Sequence, residues 1–236
     1  MIKIEKTRIS GLEEAIRGMR NPMNSWNKSD SYPIYISSAP VVDIVDGEVA
    51  ETGNKAIFDF MLGDDDKNLA LGLNKGGPSH SKYRRMIVVW ADITAPLYWW
   101  KEFDTYKVGT VANSCSTMHK LAARDLTLDD FSAEHLCSKR EIDGRSFSSK
   151  GLLKITIDVI NQYRQKFQET HNKEYWWQMV QLLPSSYNQK RTVMLSYEVL
   201  ANIYQTRVNH KLDEWHEFID WIEGLEYSDL ITENNY

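Results

Sequence analysis

The sequence predicts an α+β fold whose C-terminal half is rich in helices. Short apolar runs at residues 86–90 and 191–195 have the length and composition of strands. Apolar residues at three- and four-residue steps predict amphipathic helices later in the chain, over residues 148–169, 174–183, 197–206 and 212–223. Strands that dominate early and helices that dominate late favour the α+β class over a regular βαβ repeat.

The N-terminal third predicts a strand, a helix and a β-rich segment. Residues 1–9 alternate apolar and charged side chains, and residues 11–19 read as a short helix. Between residues 34 and 60, β-branched runs broken by Asp46-Gly47 and by Thr52-Gly53-Asn54 predict a small hairpin or an insertion. No linker or repeat is apparent. We therefore expect one domain over residues 1–236, with an insertion at about 34–78.

Helix boundaries in the middle of the chain are predicted from capping chemistry. Three aspartates at 64–66 suit the first turn of a helix that the glycines at 76–77 end. Pro96 is predicted in the first turn of the next helix, where its missing N–H costs nothing. For the long helix over 148–169, the predicted apolar stripe consists of Leu152, Ile155, Val159, Tyr163 and Phe167.

Composition excludes several classes of protein. With 28 basic and 33 acidic residues the net charge is -5, which disfavours general nucleic-acid binding. Two cysteines, Cys115 and Cys137, are too few and too far apart for a zinc knuckle or a redox pair and favour a reducing compartment. No segment approaches the roughly 18 to 20 apolar residues of a membrane span, and the N-terminus lacks a signal-peptide core. We expect a cytoplasmic protein without a membrane segment.

Motifs for metal binding and phosphate binding are missing from the sequence. The six histidines form no H-E-x-x-H pattern, and neither a Walker A loop nor a G-x-G-x-x-G loop occurs. We expect no metal site. Ser116 and His119 could form a nucleophile–base pair, but a polar loop entering a helix explains the same residues and is favoured.

Aromatic side chains are concentrated in two segments, and core packing explains most of them. The residues are Trp90, Tyr98, Trp99, Trp100, Phe103 and Tyr106, and then Tyr175, Trp176 and Trp177. Because Trp99 and Trp100 are adjacent on a helix, at least one is predicted to face a cleft, a partner subunit or a flat ligand. The same apolar helix predicts a homo-oligomer.

The segment after Ala95-Pro96 resembles the signature of the flavin-dependent thymidylate synthases (ThyX), R-H-R-x-x-S-x-N-E-x-S-x-R-Y. The signature falls on residues 105–118, where Lys107 stands for the second Arg, Thr110 for the first Ser and Cys115 for the second Ser. Thr105 and Thr117 stand where the signature has arginines. Upstream, His80 occupies the place of a family histidine, but 84–86 replace the Phe-Glu-His element that follows it.

The C-terminal half resembles the same family more closely. Leu183-Pro184 is followed farther along the chain by a segment in which Asn202, Arg207 and, after one deletion, His210 match the pattern N-x-R-x-x-x-N/H-x-x-x-x-R. Ser196 and Glu198 replace the usual Asn and Arg. The resemblance covers residues 80–223, about 60% of the chain.

The resemblance implies a ThyX-like fold with a mixed sheet, forming a homotetramer that binds FAD and dUMP at subunit interfaces. The reduced flavin would carry a methylene group from methylenetetrahydrofolate to a pyrimidine deoxynucleotide, with NADPH as co-substrate. Arg207 is the implied catalytic residue. The implied flavin contacts are His80, Tyr106, Lys107, Asn202 and His210. The implied substrate contacts are Glu102, Thr110, Asn113, Cys115 and Arg207.

Two arginine positions of the signature are threonines, which leaves the activity open. Candidates to replace their charge are Arg84, Arg85, Lys101, Lys190 and Arg191, each of which could instead serve in a surface ion pair. Arg207 itself could be a helix-end cation favoured by the helix dipole. The alternatives to a methylating flavoprotein are a catalytically silent descendant that binds a nucleotide or a protein, and a purely structural assembly protein.

Overall fold

Strands from both ends of the chain meet in one four-stranded sheet, in the order β1-β4-β8-β5. These strands are β1 (Lys3–Ser10), β4 (Val88–Pro96), β5 (Thr110–Ser114) and β8 (Asn188–Ser196). β5 pairs antiparallel with β8, so that Thr110 lies opposite Leu195 and Ser114 opposite Arg191. The computed structural model describes residues 1–45 and 48–233, without the side chains of residues 35–58.

The helices confirm the predicted α+β class and its helix-rich C-terminal half. They are α1 (Leu12–Met19), α2 (Asp64–Lys75), α3 (Leu97–Phe103), α4 (Thr117–Lys120), α5 (Ser149–Thr170), α6 (Lys173–Leu182), α7 (Tyr197–Arg207), α8 (Asp213–Glu223) and α9 (Asp229–Thr232). The remaining strands are β2 (Tyr32–Val45), β3 (Glu48–Met61), β6 (Arg140–Ile142) and β7 (Arg145–Phe147).

The chain divides into two compact units, each drawn from three separate segments. The sheet unit comprises Met1–Arg8, Trp90–Leu195 and Thr206–Gly224. The hairpin unit comprises Ile9–Val89, Ser196–Gln205 and Leu225–Tyr236. The expected single domain with an insertion at 34–78 remains a prediction.

The β-rich segment is a long antiparallel hairpin, as one of the two interpretations predicts. Tyr32 lies opposite Met61, and Val45 lies opposite Glu48. The predicted break at Thr52-Gly53-Asn54 is wrong, because β3 continues through it with a shift in register between Val41 and Val42. A bulge of this kind takes up an extra residue without ending the strand. The other predicted break, Asp46-Gly47, lies outside the described residues.

Two predicted boundaries near the central strand need correction. The strand begins at Val88 and runs to Pro96, whereas residues 82–85 form a 3-10 turn and Met86 is 46% exposed. Pro96 is the extended N-cap of α3 and does not lie in its first turn. A proline fits an extended N-cap because the backbone N–H it lacks is not needed there.

The core of the sheet unit has two parts. Trp99, Trp100 and Phe103 of α3 pack with Trp215 and Phe218 of α8 in one aromatic cluster. A second cluster joins α5 and α6 to the segment before them, and its buried members are Leu121, Leu126, Phe131, Leu153, Ile157, Ile160 and Met179.

The buried stripe of α5 agrees with the predicted one only in part, since Tyr163 and Phe167 pack against the second cluster as expected. Leu153, Ile157 and Ile160 are buried, while Leu152 and Ile155 are 66% and 61% exposed. Both stripes have helical spacing, so periodicity alone does not choose between them. The choice follows from packing against α6, whose Met179 is fully buried.

Candidate functional site

α3 presents its aromatic side chains inward, in two directions. Trp99 packs on Trp215, with ring centroids 4.9 Å apart, and Trp100 donates its ring N–H to the carbonyl oxygen of Gln189 at 2.9 Å. Both tryptophans are buried. The prediction that one of them faces a cleft, a partner or a ligand is therefore wrong, because α8 covers one ring and β8 the other.

Glu102, on the same helix, accepts hydrogen bonds from two side chains and lies close to a third. Its Oε2 lies 2.8 Å from Arg207 Nη1 and 3.0 Å from Trp215 Nε1. His210 Nε2 lies 3.3 Å from the same oxygen. Glu102 thereby joins the end of α7 to the start of α8.

Arg207 is held on two sides within the sheet unit. Its Nε donates to the Tyr106 hydroxyl at 2.7 Å, and its guanidinium carbon lies 4.7 Å from the centre of the Trp215 ring. The side chain is 17% exposed. Arg207 stands at the C-terminal end of α7, as the helix-cap alternative requires, but its side chain bonds other side chains. Nη2 makes no hydrogen bond within the described residues.

The hydrogen bonds of His210 define which ring nitrogen carries the proton. Its Nδ1 accepts the backbone N–H of Leu212 at 3.2 Å, so in the neutral ring the proton lies on Nε2. That nitrogen lies 3.3 Å from Oε2 of the Glu102 carboxylate.

A cavity of about 270 Å³ lies beside this cluster. It is lined by Tyr106, Lys107, Thr110 and three neighbours, Phe103, Asp104 and Ala112. The Lys107 ammonium makes no ion pair within the described residues, and the Thr110 hydroxyl oxygen is buried without a hydrogen-bond partner there. The cavity wall therefore carries one cation, Lys107, that makes no ion pair within the described residues, and one carboxylate, Asp104, that pairs with Arg191, whereas the Thr110 oxygen is buried behind the wall.

Asn113 and Cys115 lie farther along the chain from this cavity. Asn113 is exposed on β5, opposite Thr192. Cys115 follows β5 and donates its backbone N–H to the carbonyl oxygen of Lys190 at 2.9 Å. It lines another cavity, of about 280 Å³, together with Lys120 and Tyr187. Burial raises the pKa of the Tyr187 hydroxyl.

Ser116 is the N-cap of α4, which confirms the predicted polar loop entering a helix. Its Oγ accepts the backbone N–H of His119 at 3.3 Å and lies 2.7 Å from His119 Nδ1. Within the part of the chain that the structure describes, no carboxylate bonds the other ring nitrogen of His119. A nucleophile–base pair without such an orienting group has little support.

His80 and Asn202 belong to the hairpin unit. His80 is exposed and packs against Gly76, where an added Cβ would come within 3.1 Å of the imidazole. Asn202 is exposed on α7, and Glu198, one turn earlier, bonds Arg85 at 2.6 Å. The structure thus brings Glu102, Tyr106, Arg207 and His210 together and leaves His80 and Asn202 in the other unit.

Three of the candidate replacement cations are already ion-paired within the chain. Arg85 pairs with Glu198, Lys190 with Asp92 at 3.1 Å, and Arg191 with Asp104 at 2.7 Å. Arg191 also stacks on the Trp100 ring at 4.2 Å. Arg84 is buried. For Arg85, Lys190 and Arg191 the structure favours the ion-pair interpretation.

Trp215 is a residue of this cluster that was not among the predicted site residues. It stacks on the Arg207 guanidinium and donates to Glu102. It lies on the apolar face of the helix predicted over residues 212–223, and that pattern does not predict a polar contact. A tryptophan that is buried needs a partner for its ring N–H, and that requirement could have suggested a nearby acceptor.

Neither a metal site nor a membrane span is found in the described part of the chain. In residues 1–45 and 48–233, no three His, Cys, Asp or Glu side chains gather as a metal ion requires. No helix there combines the length and the apolar character of a membrane span.

Comparison with known proteins identifies the fold. No protein-family model matches the chain, and neither does any curated protein sequence. Among solved structures, ThyX from Helicobacter pylori with FAD and dUMP matches with a TM-score of 0.63 and 14% identity, covering 99% of this chain and 98% of that one. A second structure of that flavin-dependent enzyme with FAD and dUMP covers 99% of this chain and 100% of that one, with the same TM-score.

A second kind of protein shares the fold. The UMP/dUMP methylase PolB from Streptomyces cacaoi, bound with 5-Br dUMP, matches with a TM-score of 0.55 and 12% identity over 94% of this chain and 88% of that one. The fold class that these structures define is that of ThyX, and this chain has a ThyX-like fold. The predicted fold is confirmed.

Proposed function

We propose that the protein binds a flavin and a pyrimidine deoxynucleotide, with the sheet-unit cavity beside Tyr106 and Lys107 as part of the site. The observation that carries this proposal is the fold, since the likeness spans 99% of the chain and the matched ThyX structures hold FAD and dUMP. Four residues of the segment that carries the signature resemblance, Tyr106, Lys107, Thr110 and Ala112, line this cavity.

The donors at the cavity fit such ligands. Tyr106 supplies a hydroxyl group that also bonds Arg207, and Lys107 supplies an ammonium that makes no ion pair within the described residues. Hydroxyls suit the carbonyl and nitrogen edges of a flavin or a pyrimidine, and an ammonium suits one phosphate charge. At about 270 Å³ the cavity encloses only part of a ligand of that size, which agrees with a site completed by another subunit.

Arg207 is suited to a neutral edge of the nucleotide. Glu102 already balances its charge, and Nη2 still has two N–H donors without a partner in the described residues. An arginine whose charge is compensated gains less from a phosphate than a free one and keeps its directional donors. We assign Arg207 to a pyrimidine carbonyl and Lys107 to the phosphate.

In the active form of this proposal, bound flavin would supply the redox step of a methylation. The carbon donor would be methylenetetrahydrofolate and the reductant NADPH. The protein's own contribution is to orient the pyrimidine through Arg207 and to hold Arg207 through Glu102 and Tyr106.

A catalytically silent nucleotide-binding protein is the second candidate. It is favoured by Thr105 and Thr117, which stand where the signature has arginines, and by the internal ion pairs of Arg85, Lys190 and Arg191. Each lost charged hydrogen bond is worth about 1.5 to 3 kcal/mol. With weaker contacts to its phosphate a nucleotide can still bind to the protein, but turnover is disfavoured.

Ligand binding by the full chain tests the proposal. We expect FAD and dUMP to bind in calorimetric or fluorescence titrations, and purified protein to show the visible absorbance of an oxidised flavin. Lys107→Met should weaken dUMP binding about tenfold or more, as expected for loss of a charged contact.

The control variant is Lys154→Met, because Lys154 is an exposed lysine of α5 that does not line the cavity. Methylation of dUMP with methylenetetrahydrofolate and NADPH would support the active form, and binding without turnover would support the silent one. Folded protein that binds neither FAD nor a pyrimidine nucleotide would contradict both.

A further inference from the structure

We propose that the hairpin unit contains a second binding site, for a small amphipathic anion. A cavity of about 510 Å³ lies between α1 and α2, and its walls are mainly apolar. The apolar lining includes Met19, Met23, Leu69, Leu73 and Met86. A volume of several hundred Å³ with apolar walls and a few polar groups is typical of small-molecule sites.

The frame of this cavity is held by buried polar contacts. Arg20, at the end of α1, forms a buried ion pair with Asp66 in the first turn of α2. On the other side, the Tyr83 hydroxyl donates to Asn74 Oδ1 at 2.8 Å, joining the 3-10 turn at 82–85 to α2. Such contacts fix the distance between the walls of the cavity. The cavity is therefore preformed, and ligand binding does not require its walls to become ordered.

Methionines at the mouth supply an adaptable apolar surface. Met23 is 82% and Met86 46% exposed. The Met86 thioether lies over Gly18 of α1, where a Cβ would come within 3.3 Å of its sulfur. Exposed large apolar side chains grouped around a cavity indicate a ligand surface more than chance exposure, and flexible thioethers adapt to different ligand shapes.

The polar rim indicates the charge of the ligand. Lys82 and His80 lie on the rim, and among the side chains that the structure describes no Asp or Glu lines the cavity. Within the described residues, the Lys82 ammonium has no carboxylate partner. An apolar body with an anionic head, such as a carboxylate, matches this distribution of charge, and an ammonium head does not.

Three probes with the same apolar chain and different heads test the inference. Decanoate, decanol and decyltrimethylammonium would be titrated calorimetrically into the full-length protein below their aggregation concentrations. We expect decanoate to bind about fivefold more tightly than decanol, the gain of one solvent-exposed ion pair, and the ammonium probe to bind least. Equal affinity for all three probes, or no binding of decanoate, would overturn the assignment.

Two kinds of variant locate the site. Leu73→Trp, which fills the cavity from a half-buried position, should abolish decanoate binding, and Leu69→Trp serves the same purpose if the first variant loses its thermal transition in circular dichroism. Lys82→Gln should reduce decanoate affinity to that of decanol. The matched control is Lys75→Gln, an exposed lysine that does not line the cavity.

Decanoate binding that survives both tryptophan variants, or that falls equally in Lys75→Gln, would place the ligand elsewhere and refute the site. Displacement of decanoate by FAD would show that the cavity belongs to the flavin site and would refute a separate one. This test does not depend on the proposed function, because failure of FAD and dUMP to bind leaves the decanoate result unchanged.

Discussion

At the residue scale, the contacts of Arg207 separate its structural role from its proposed one. Nε and Nη1 bond Tyr106 and Glu102, and these contacts stabilise the sheet unit without any ligand. Nη2 has no partner in the described residues, and it is the group proposed to contact the nucleotide. A substitution that keeps the charge but removes the planar donors acts on the two roles differently.

Arg207→Lys is expected to cost about 1 kcal/mol of stability, because the ion pair with Glu102 can persist while the hydrogen bond to Tyr106 is lost. Binding of dUMP, measured by calorimetry, should fall about tenfold or more because the ammonium cannot supply the paired N–H donors. Thermal denaturation measures the stability.

Arg164→Lys is the control, since Arg164 is also an ion-paired helix arginine of the sheet unit, with Asp125 as its partner. It should lose stability without losing dUMP affinity. Unchanged dUMP binding in Arg207→Lys would leave Arg207 a structural residue.

The environment of the Asp66 carboxyl predicts how the stability of the hairpin unit depends on pH. Burial raises the pKa of this carboxyl, but hydrogen bonds from Ser29, Ser31 and Arg20 outweigh burial and hold the pKa below its ordinary value. A folded-state pKa below the unfolded one means that stabilisation is present above about pH 4 and is lost as pH falls through the folded pKa.

We therefore expect the free energy of unfolding to decrease on acidification below about pH 4. Asp66→Asn should cost about 3 to 5 kcal/mol at neutral pH, because it leaves Arg20 buried without its counter-charge, and should show a weaker acid dependence. Urea denaturation followed by circular dichroism at several pH values measures both.

Asp158→Asn, at an exposed position of α5, is the control and should follow the wild-type protein. If the free energy of unfolding of Asp66→Asn falls with pH as steeply as that of the wild type, carboxyl groups other than Asp66 cause the acid dependence.

At the element scale, the entry of α1 depends on a glycine. Gly11 has a φ of +91° and is the N-cap of the helix. A Cβ at this position would lie 2.2 Å from the carbonyl oxygen of Met86, an impossible contact with backbone. Both the left-handed conformation and the close approach require a residue without a side chain.

Gly11→Ala is expected to cost about 2 to 5 kcal/mol, from left-handed strain of about 1 to 2 kcal/mol and overpacking of about 1 to 3 kcal/mol. Gly144 is a matched control: its φ is +74°, in the turn between β6 and β7, and a Cβ there meets nothing within 4 Å. Gly144→Ala should therefore lower the free energy of unfolding only by the contribution of left-handed strain. Equal losses in the two variants, measured by urea denaturation, would show that the contact with Met86 relaxes freely.

At the scale of the whole molecule, the predicted homotetramer now rests on different residues. The aromatic helix that first suggested it is covered by α8 and β8 within the chain. Other apolar side chains remain exposed in the sheet unit, including Leu152 and Ile155 on α5, at 66% and 61%, and Val111 on the terminal strand β5, at 60%. Exposed apolar faces and unpaired sheet edges are typical of surfaces that another subunit covers.

Light scattering at micromolar concentration is expected to give the mass of a tetramer. Leu152→Glu combined with Ile155→Glu should lower that mass, because charge would be buried without a partner at an interface. Lys154→Glu, on the same helix, should leave it unchanged. A monomeric wild-type protein would contradict the tetramer and with it a site completed by a second subunit.

Local chemistry in the sequence determined most of the secondary structure. The acidic first turn of α2, the Ser148 cap of α5 and the end of α6 before Pro184 are encoded by neighbouring residues, so they could be predicted without knowing the fold. The resemblance in residues 80–223 also led to the ThyX-like fold that the solved structures confirm. The roles of the site residues remain predictions.

Only the tertiary structure decided which apolar face of α5 is buried, that Trp99 and Trp100 both lie inside, and that Glu102 holds Arg207. Two stripes of α5 satisfy the same periodicity, and the contact with α6 selects one. Glu102 and Arg207 are 105 residues apart, and no local pattern encodes a pairing over that distance. Caps and turns depend on interactions within a few residues, whereas burial and ion pairing depend on which distant segments the fold brings together.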